Sequence, residues 1–396
     1  MAKKKQKRQK KPLPFYNRKI VVVIIGMLIV LLSILAYIAN KQSTTKTIEN
    51  FEARPFSQIE PLIKPATKPA SLVSPTEVKK AYKLSTSPNA GKGTIAIVNA
   101  YSSPTAEKDL AKFNKQFKIR SCTKANKCFR QVTMAKSTPS KLEWQMETAL
   151  DTQWAHAIAP GAKILLVEAA SANGNDLIKA VDFARKQKDV VAISMSWGGN
   201  EFPSEKLLEP FFSSRYGATF FAASGDWGHG TYWPAVSANV ISVGGTTLKT
   251  NSKGSFVSET AWSGSGGGQS KFIKEPSYQS KYKIPKSNKM RAVPDVSYNA
   301  DPATGFPVYA SFNYHGSKGW FKVGGTSAGT PQWAAIRALS GKKVSQANIY
   351  EKAAPSKQKL LRDITSGKNG KCGAICSAMK RYDYVTGLGT PLTLRF

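Results

Sequence analysis

Between about residue 75 and residue 250, short apolar runs alternate with segments whose apolar residues have helical spacing. The apolar runs are 94–101, 162–170, 190–197, 218–226 and 238–248, and the helical segments are 110–117, 143–158 and 176–186. Runs this short and this apolar are typical of strands buried on both faces. Their alternation with helices predicts an α/β domain with a mostly parallel sheet and helices on both faces.

Two of these predicted strands end in polar, glycine-rich segments, SMSWGG (194–199) and ASGDWG (223–228). Sites in parallel sheets collect beyond the carboxyl ends of the strands. Asp226, in the second segment, is therefore either a turn residue or a side chain that projects into a cleft.

The N-terminal region predicts a membrane anchor. Residues 1–19 contain nine Lys or Arg and no acid, and an apolar run follows at 20–39. That run is long enough for a transmembrane helix, whereas the apolar region of a secretory signal peptide is shorter and ends at a small-residue cleavage site. Since basic flanks stay in the cytoplasm, we expect a single-pass protein of the cell membrane with everything after the helix outside.

The remaining sequence divides into a linker and a domain. Residues 40–74 are polar and rich in Pro, Lys and Thr, without sustained periodicity, and we expect an extracytoplasmic linker there. Residues 75–396 then form the α/β domain.

Four cysteines occur as two close pairs, Cys122 with Cys128 and Cys372 with Cys376. A zinc site would need the two pairs brought together, and neither pair has the usual two-residue spacing. In an exported domain, two local disulfides are the favoured interpretation.

The formal net charge is +34, with only 24 acidic residues in 396. The basic residues are spread along the chain and form no basic–aromatic motif, so we expect no nucleic-acid partner. Contact with an anionic envelope or lipid surface fits an exported protein better.

Ser327 lies in the small-residue run GGTSAGTP (324–331), just before an apolar segment that predicts a helix. A serine there is either a helix cap or a nucleophile whose neighbouring backbone N–H groups can hold an oxyanion. Glu147 and Asp151, four residues apart on another predicted helix, place two carboxylates on one face. They are either two solvated acids or a proton-sharing pair.

These residues, with their local sequences, resemble the serine-carboxyl peptidase (sedolisin) family over roughly residues 75–396. The matching segments occur in one order along the chain: E-x-x-x-D followed by APGAKI, then SMSWGG, ASGD, SVGGTTL, PDVSYNADP, GGTSAGTP and DITSG…YDYVTGLGTP. The resemblance implies a subtilisin-like fold and a serine-type endopeptidase acting on protein or peptide substrates.

The resemblance also implies roles for the four candidate residues. Ser327 would be the nucleophile and Glu147 its general base, Asp151 would orient Glu147, and Asp226 would donate a hydrogen bond to the oxyanion. A carboxylate base has an ordinary pKa near ~4.3, and Asp226 can donate only when protonated. Both requirements predict activity at acidic pH.

One calcium ion is implied as well, near the C-terminus. Asp363 and Asp383 match the family's side-chain ligands, and Ile364 matches a carbonyl ligand. Two further carbonyl positions, usually glycine, are Met379 and Arg381 here. Carbonyl ligation survives a change of side chain, although glycine permits backbone angles that other residues avoid.

Two other interpretations compete with this one. A subtilisin-like histidine triad would have to use His156, His229 or His315, none of which lies in a glycine-flanked motif. A catalytically weak or inactive peptidase fold that serves as a surface binding or scaffold module is the alternative from a different class. The sequence predicts no oligomeric state.

Overall fold

The computed structural model describes residues 25–35, 48, 50–61, 72–136, 138–353 and 360–392. Contacts divide the chain into two units, Met1–Lys46 and Thr47–Phe396. In the first unit, residues 25–35 are helical. Within the described ranges, no helix has both the length and the apolarity needed to cross a membrane. Residues 20–24 and 36–39 of the predicted anchor at 20–39 lie outside these ranges. The anchor stays a prediction.

The second unit contains eighteen strands among its described residues. They are β1 Arg54–Pro55, β2 Gln58–Pro61, β3 Thr94–Ala100, β4 Phe129–Thr133, β5 Lys163–Ala169, β6 Val190–Met195, β7 Trp197–Asn200, β8 Thr219–Ala223, β9 Tyr232–Trp233, β10 Val240–Thr250, β11 Phe256–Ala261, β12 Gly268–Lys274, β13 Met290–Val293, β14 Val296–Asn299, β15 Phe306–Tyr314, β16 Ser317–Gly324, β17 Leu361–Arg362 and β18 Thr390–Pro391.

Seven α-helices and three short 3-10 helices complete the described part of this unit. The α-helices are α1 Pro75–Ala81, α2 Ala106–Phe117, α3 Leu142–Ile158, α4 Gly174–Arg185, α5 Ser277–Tyr282, α6 Thr326–Ser340 and α7 Gln346–Lys352; the 3-10 helices are Glu205–Phe212, Pro302–Thr304 and Gly373–Cys376.

The main sheet has the strand order β11-β10-β8-β6-β3-β5-β4, and β14 pairs with one end of β10. All pairings from β10 to β4 are parallel, as is β10 with β14, and only β11 is antiparallel to its neighbour. The carboxyl ends of β3, β6 and β8 therefore meet at one edge. The mostly parallel α/β sheet is confirmed.

Side chains of β3 show that both faces of this sheet are covered. Ile95 and Ile97 belong to one apolar core, which includes residues of α3 and α6. Ala96 and Val98 belong to the other, which includes residues of α4. Because alternate residues of a strand face opposite sides, the helices lie on both faces, as predicted.

Helix α3 is buried over nearly its whole length, from Trp144 to Ile158. Its polar side chains find partners inside the domain: Gln153 donates to the carbonyl of Tyr309 at 2.7 Å, and Trp154 donates to that of Pro307 at 3.0 Å. A helix enclosed on all sides can hold its carboxylates away from water.

The structure differs from the predicted linker at residues 50–61. This segment packs into the domain: β1 pairs with β7, and β2 pairs with β16. Phe51 and Phe56 are buried. The apolar residues of the segment are too few and too irregularly spaced to reveal a strand, and their burial depends on partners more than a hundred residues away.

Both cysteine pairs form disulfides, Cys122–Cys128 and Cys372–Cys376. This confirms the local pairing. Since the sulfur atoms are bonded to each other, the two clusters in which His156 or His229 lies beside a cysteine pair offer no free thiolates for zinc.

Candidate active site

Ser327 is the second residue of α6 and is buried. Strand β16 ends at Gly324, and Gly325 turns the chain into the helix with φ of +99°. A Cβ at Gly325 would lie 2.3 Å from both Asp226 Oδ2 and the carbonyl oxygen of Phe56. Only glycine lets these groups crowd the start of the helix, which explains the small-residue run.

Glu147 and Asp151 lie on α3, and both are fully buried. Asp151 accepts hydrogen bonds from Asn99 Nδ2 at 3.0 Å and from Ser196 Oγ at 2.7 Å. Neither oxygen of Glu147 has a partner of full hydrogen-bond geometry among the described residues. The structure therefore brings the predicted pair together in the interior, and the solvated alternative is excluded.

Burial raises the pKa of Glu147 well above its ordinary value, and the neighbouring charge of Asp151 raises that pKa further. The hydroxyls of Ser57 and Ser327, which lie beside the carboxylate, act in the opposite direction. Burial also raises the pKa of Asp151, against the hydrogen bonds from Ser196 and Asn99. Two carboxylates this close share a proton and titrate as a pair.

Asp226 follows β8 and projects onto the start of α6. Its Oδ1 accepts hydrogen bonds at 2.8 Å from both the backbone N–H and the hydroxyl of Thr326. Its Oδ2 is buried and has no hydrogen-bond partner among the described residues. Burial raises the pKa of Asp226 to about 7. The side chain is therefore placed to hold a proton on Oδ2, facing the carbonyl of Phe56.

Ser196 connects these groups, although its local sequence predicts no role for it. Its hydroxyl donates to Asp151, and its carbonyl accepts from Ser327 Oγ at 3.1 Å. The available signal was the segment SMSWGG at a strand end. Asn99, at the end of β3, was missed in the same way, because a lone Asn in an apolar run has no pattern of its own.

The three histidines lie elsewhere. His156 is buried, its Nε2 lies 2.8 Å from the carbonyl of Arg120, and burial lowers its pKa to about 4. His315 is exposed, and its Nε2 lies 3.7 Å from Oε1 of Glu143. His229 is exposed beside Gly268. None of the contacts described for them reaches Ser327, and the histidine-triad interpretation is not supported.

At the C-terminal loop, Asp363 and Asp383 hold the same short turn. Asp363 Oδ2 accepts from the backbone N–H of Arg381 at 2.9 Å, and Asp383 Oδ2 accepts from that of Met379 at 3.2 Å. Arg381 adopts φ of +71°, so its backbone takes the conformation that glycine favours. The side chain that replaces glycine therefore does not prevent this turn.

The residues of this loop fit a calcium ion. Asp383 is buried, its described partners are neutral donors, and burial raises its pKa to about 6. A buried carboxylate without a cation beside it gains from a bound metal, and calcium prefers carboxylate and carbonyl oxygens. Asp363, Asp383 and the carbonyls of Ile364, Met379 and Arg381 would be the residues that hold such an ion.

A model of the Subtilase family (Peptidase_S8) matches residues 145–372. The chain belongs to the subtilase family. The matched range holds Glu147, Asp151, Asp226 and Ser327.

Two curated proteins are similar to this chain in sequence. Sedolisin of Pseudomonas sp. (strain 101) is 29% identical over 364 residues, covering 80% of this chain and 59% of that protein. Kumamolisin of Bacillus sp. (strain MN-32) is 34% identical over 284 residues, covering 63% of this chain and 50% of that protein. The chain thus spans between half and three fifths of the length of these curated relatives.

Two solved structures are also similar to the structure of this chain. Pseudomonas sedolisin, a serine-carboxyl proteinase complexed with two molecules of pseudo-iodotyrostatin, has a TM-score of 0.67 and 27% identity, covering 80% of this chain and 95% of that one. Sphericase, with a TM-score of 0.52 and 17% identity, covers 80% of this chain and 96% of that one and shares the fold. The predicted sedolisin resemblance and the subtilisin-like fold are confirmed.

Proposed function

We propose that this subtilase is a serine-type endopeptidase of the serine-carboxyl class that hydrolyses protein or peptide substrates at acidic pH. Ser327 is the nucleophile, Glu147 is its general base, and Asp151 orients Glu147. Asp226 and the backbone N–H of Ser327 hold the oxyanion. The observation that carries the proposal is the unpartnered, buried Oδ2 of Asp226 at the start of the helix that presents Ser327.

The protonation states follow from the shared proton of the two carboxylates. When that proton lies on Asp151, Glu147 is ionised and accepts the proton of the Ser327 hydroxyl during attack. Asp226 must be protonated at the same time to donate to the oxyanion. One proton on the pair and one on Asp226 coexist on the acidic side of neutrality, since the pKa of Asp226 is about 7.

We extend the proposal to one calcium ion, held by Asp363, Asp383 and the loop carbonyls. When bound, calcium supplies positive charge that fixes the loop. The chain's own residues contribute the buried carboxylate of Asp383, the exposed carboxylate of Asp363 and the turn at Arg381.

The proposed location is the cell membrane, with residues 20–39 as a single transmembrane anchor and the domain outside. The basic N-terminus and the length of the apolar run support this topology. The basic composition supports contact with an anionic envelope surface, and no nucleic-acid partner is proposed.

Cleavage of casein by the purified chain between pH 3 and 8 tests the activity. We expect hydrolysis that is greatest in acid and that disappears in Ser327→Ala. The matched control is Ser297→Ala, which removes another buried hydroxyl that has no described partner and should keep the activity. No hydrolysis at any pH by the folded wild-type chain would refute the peptidase and favour the scaffold alternative.

A further inference from the structure

A cavity of about 240 Å³ lies away from the candidate active site, between α1, the end of α2 and the residues that follow α3. Its polar lining residues are Thr76, Lys79, Thr86, Lys118 and Arg120. No carboxylate is among the described residues that line it. A concave site whose charged groups all have one sign concentrates its field and attracts ligands of the opposite sign. The lining therefore favours an anion.

Lys79 is the buried cation of this cavity, with 8% of its surface exposed. Among the described residues, its ammonium group forms no hydrogen bond and no ion pair. Burial lowers the pKa of Lys79 to about 8, whereas a carboxylate beside it would raise that pKa. Lysine is almost never buried unless it is paired. A buried positive charge without a counter-charge is stabilised when an anion binds next to it.

The imidazole of His156 shows that Lys79 and Arg120 lie close together. Burial is the main reason why the pKa of His156 is lowered to about 4. The hydrogen bond between its Nε2 and the carbonyl of Arg120, at 2.8 Å, acts in the opposite direction. The positive charges of Lys79 and Arg120 lower the pKa in addition. One cation on α1 and one in the segment after α2 thus act on the same buried ring.

Lys118 and Arg120 line the cavity at exposed positions, as do Thr76 and Thr86. Arg120 Nη1 donates to Asn89 Oδ1 at 3.3 Å, which orients the guanidinium and leaves its other N–H groups for a ligand. Neither Lys118 nor Arg120 belongs to an ion pair within the described part of the chain. The cavity therefore has one buried cation and two accessible ones.

A phosphate group matches these donors. A guanidinium offers paired N–H groups to two phosphate oxygens, a lysine ammonium acts as a point charge, and threonine hydroxyls add neutral donors. The cavity is smaller than the pockets of about 300–1,000 Å³ that enclose drug-sized ligands. It has room for a small anion with water, and a phosphate ester can extend from the exposed side.

We propose that this cavity, called the Lys79 cavity below, binds a phosphate group, either free phosphate or the phosphate monoester of a lipid headgroup. Lys79 holds the anion from the buried side, and Lys118 and Arg120 hold it from the exposed side. None of the residues assigned to the peptidase lines the cavity. The inference is therefore independent of the proposed activity, and it gives the basic domain a defined site for an anion.

The same cations have a second possible use at the ends of two helices. Helix α2 ends at Phe117 and α3 at Ile158, and Pro160, which follows α3, lines the cavity. Positive charge near the carboxyl end of a helix offsets the helix dipole. If this were the only role of the cations, removing the charge of Lys79 would change the stability of the domain and leave phosphate affinity unaffected. Binding measurements separate the two roles.

Calorimetric titration of the purified full chain with inorganic phosphate at pH 6 tests the proposal. We expect one phosphate per chain and an affinity that falls about tenfold or more in Lys79→Gln, because a charge-assisted hydrogen bond is lost. The matched control is Lys112→Gln, which changes an exposed lysine of α2 outside the cavity and should keep the affinity within about twofold. Absence of binding by the wild-type chain, or an equal loss in both variants, would overturn the proposal.

A variant at an exposed position keeps this test decisive if Lys79→Gln does not fold. Lys118→Gln should weaken phosphate binding by about threefold or more, since it removes one of the two accessible cations. An affinity equal to that of Lys112→Gln would contradict the assigned lining.

The pKa of His156, followed by NMR in the Ser327→Ala chain, gives a second readout. Bound phosphate places negative charge beside the two cations that lower this pKa, so the pKa should rise by about 0.5. The exposed His315, which does not line the cavity, should keep its pKa. A His156 pKa that is unchanged at saturating phosphate would place the anion elsewhere and refute the site.

Glycerol 3-phosphate distinguishes the two sources of the phosphate group, since it carries the monoester found in a lipid headgroup. Tighter binding of glycerol 3-phosphate than of inorganic phosphate would assign the Lys79 cavity to esterified phosphate, and weaker binding would assign it to the free ion. Glycerol at the same concentration should not bind. If neither phosphate compound binds the folded chain, the proposal is wrong.

Discussion

At the scale of single residues, Asp226 combines two hydrogen bonds on Oδ1 with an unpartnered Oδ2. Both donors come from Thr326, which fixes the carboxyl group and leaves Oδ2 facing the peptide carbonyl of Phe56. The pKa of about 7 means that Oδ2 carries the proton below neutrality and loses it above. Activity should therefore decline as the pH rises through about 7.

An amide at this position should change the pH profile in a specific way. In Asp226→Asn, Thr326 holds the amide oxygen and the NH₂ group takes the place of Oδ2, so the donor no longer titrates. We expect a reduced rate that does not decline between pH 6 and 8, measured with a fluorogenic peptide. Asp226→Ala should lose about 10²–10³-fold in kcat, as expected when an oxyanion donor is removed. If the rate of Asp226→Asn declined above pH 7 as the wild-type rate does, this role would be contradicted.

Glu147 should be essential for proton transfer. Glu147→Gln cannot accept the Ser327 proton, and we expect kcat to fall by about 10²–10⁴-fold at every pH, measured with the same peptide. Glu143→Gln is the matched control on the same helix, since Glu143 is exposed and contacts His315. If Glu147→Gln kept its kcat while Glu143→Gln lost it, the assignment of the base would be wrong.

At the scale of elements, the 3-10 helix Glu205–Phe212 carries a buried acid outside the site. Glu205 Oε2 accepts from the backbone N–H of Phe202 at 3.0 Å, while Oε1 has no described partner. Burial, followed by the charge of Glu201, raises the pKa of Glu205 to about 9. In the unfolded chain its pKa is about 4.3.

This difference makes the stability of the domain depend on pH. The stabilising contribution of Glu205 is fully present below about pH 4.3 and is lost as the pH rises through about 9, because the native state binds the extra proton. Glu205→Gln should reduce the fall in melting midpoint between pH 5 and pH 9 by about 2 °C or more, measured by scanning calorimetry in the Ser327→Ala background. Glu143→Gln, which changes an exposed acid on α3, should leave that fall unchanged. An unchanged fall in Glu205→Gln would refute the argument.

At the scale of the whole molecule, the C-terminal loop ties distant parts of the domain together. Asn369 in this loop donates to the carbonyl of Ser265 at 2.7 Å, and its own carbonyl accepts from the backbone N–H of His229 at 3.0 Å. The loop therefore supports the region that follows Asp226, and an ion bound by Asp363 and Asp383 would stabilise the domain as a unit.

Removal of calcium should lower the melting midpoint. We expect a chelator to reduce it by about 5 °C relative to calcium at a hundredfold excess over Kd, since a ligand that binds only the native state stabilises it by mass action. Asp383→Asn should abolish the response, and Asp176→Asn, on α4, should retain it. A midpoint that is identical with calcium and with chelator would refute the calcium proposal.

The sequence by itself determined the α/β sheet, because local apolar periodicity reports strands and helices without knowledge of their partners. It also identified Ser327, Glu147, Asp151 and Asp226 through the resemblance of their local motifs. Only the tertiary structure decided that α3 is enclosed on all sides, that Ser196 and Asn99 hold Asp151, and that Asp226 leaves one oxygen beside a peptide carbonyl. Residues 50–61 show the reason most clearly: a polar segment that predicts a linker becomes two strands, because its hydrogen-bond partners lie on β7 and β16 and no local pattern encodes them.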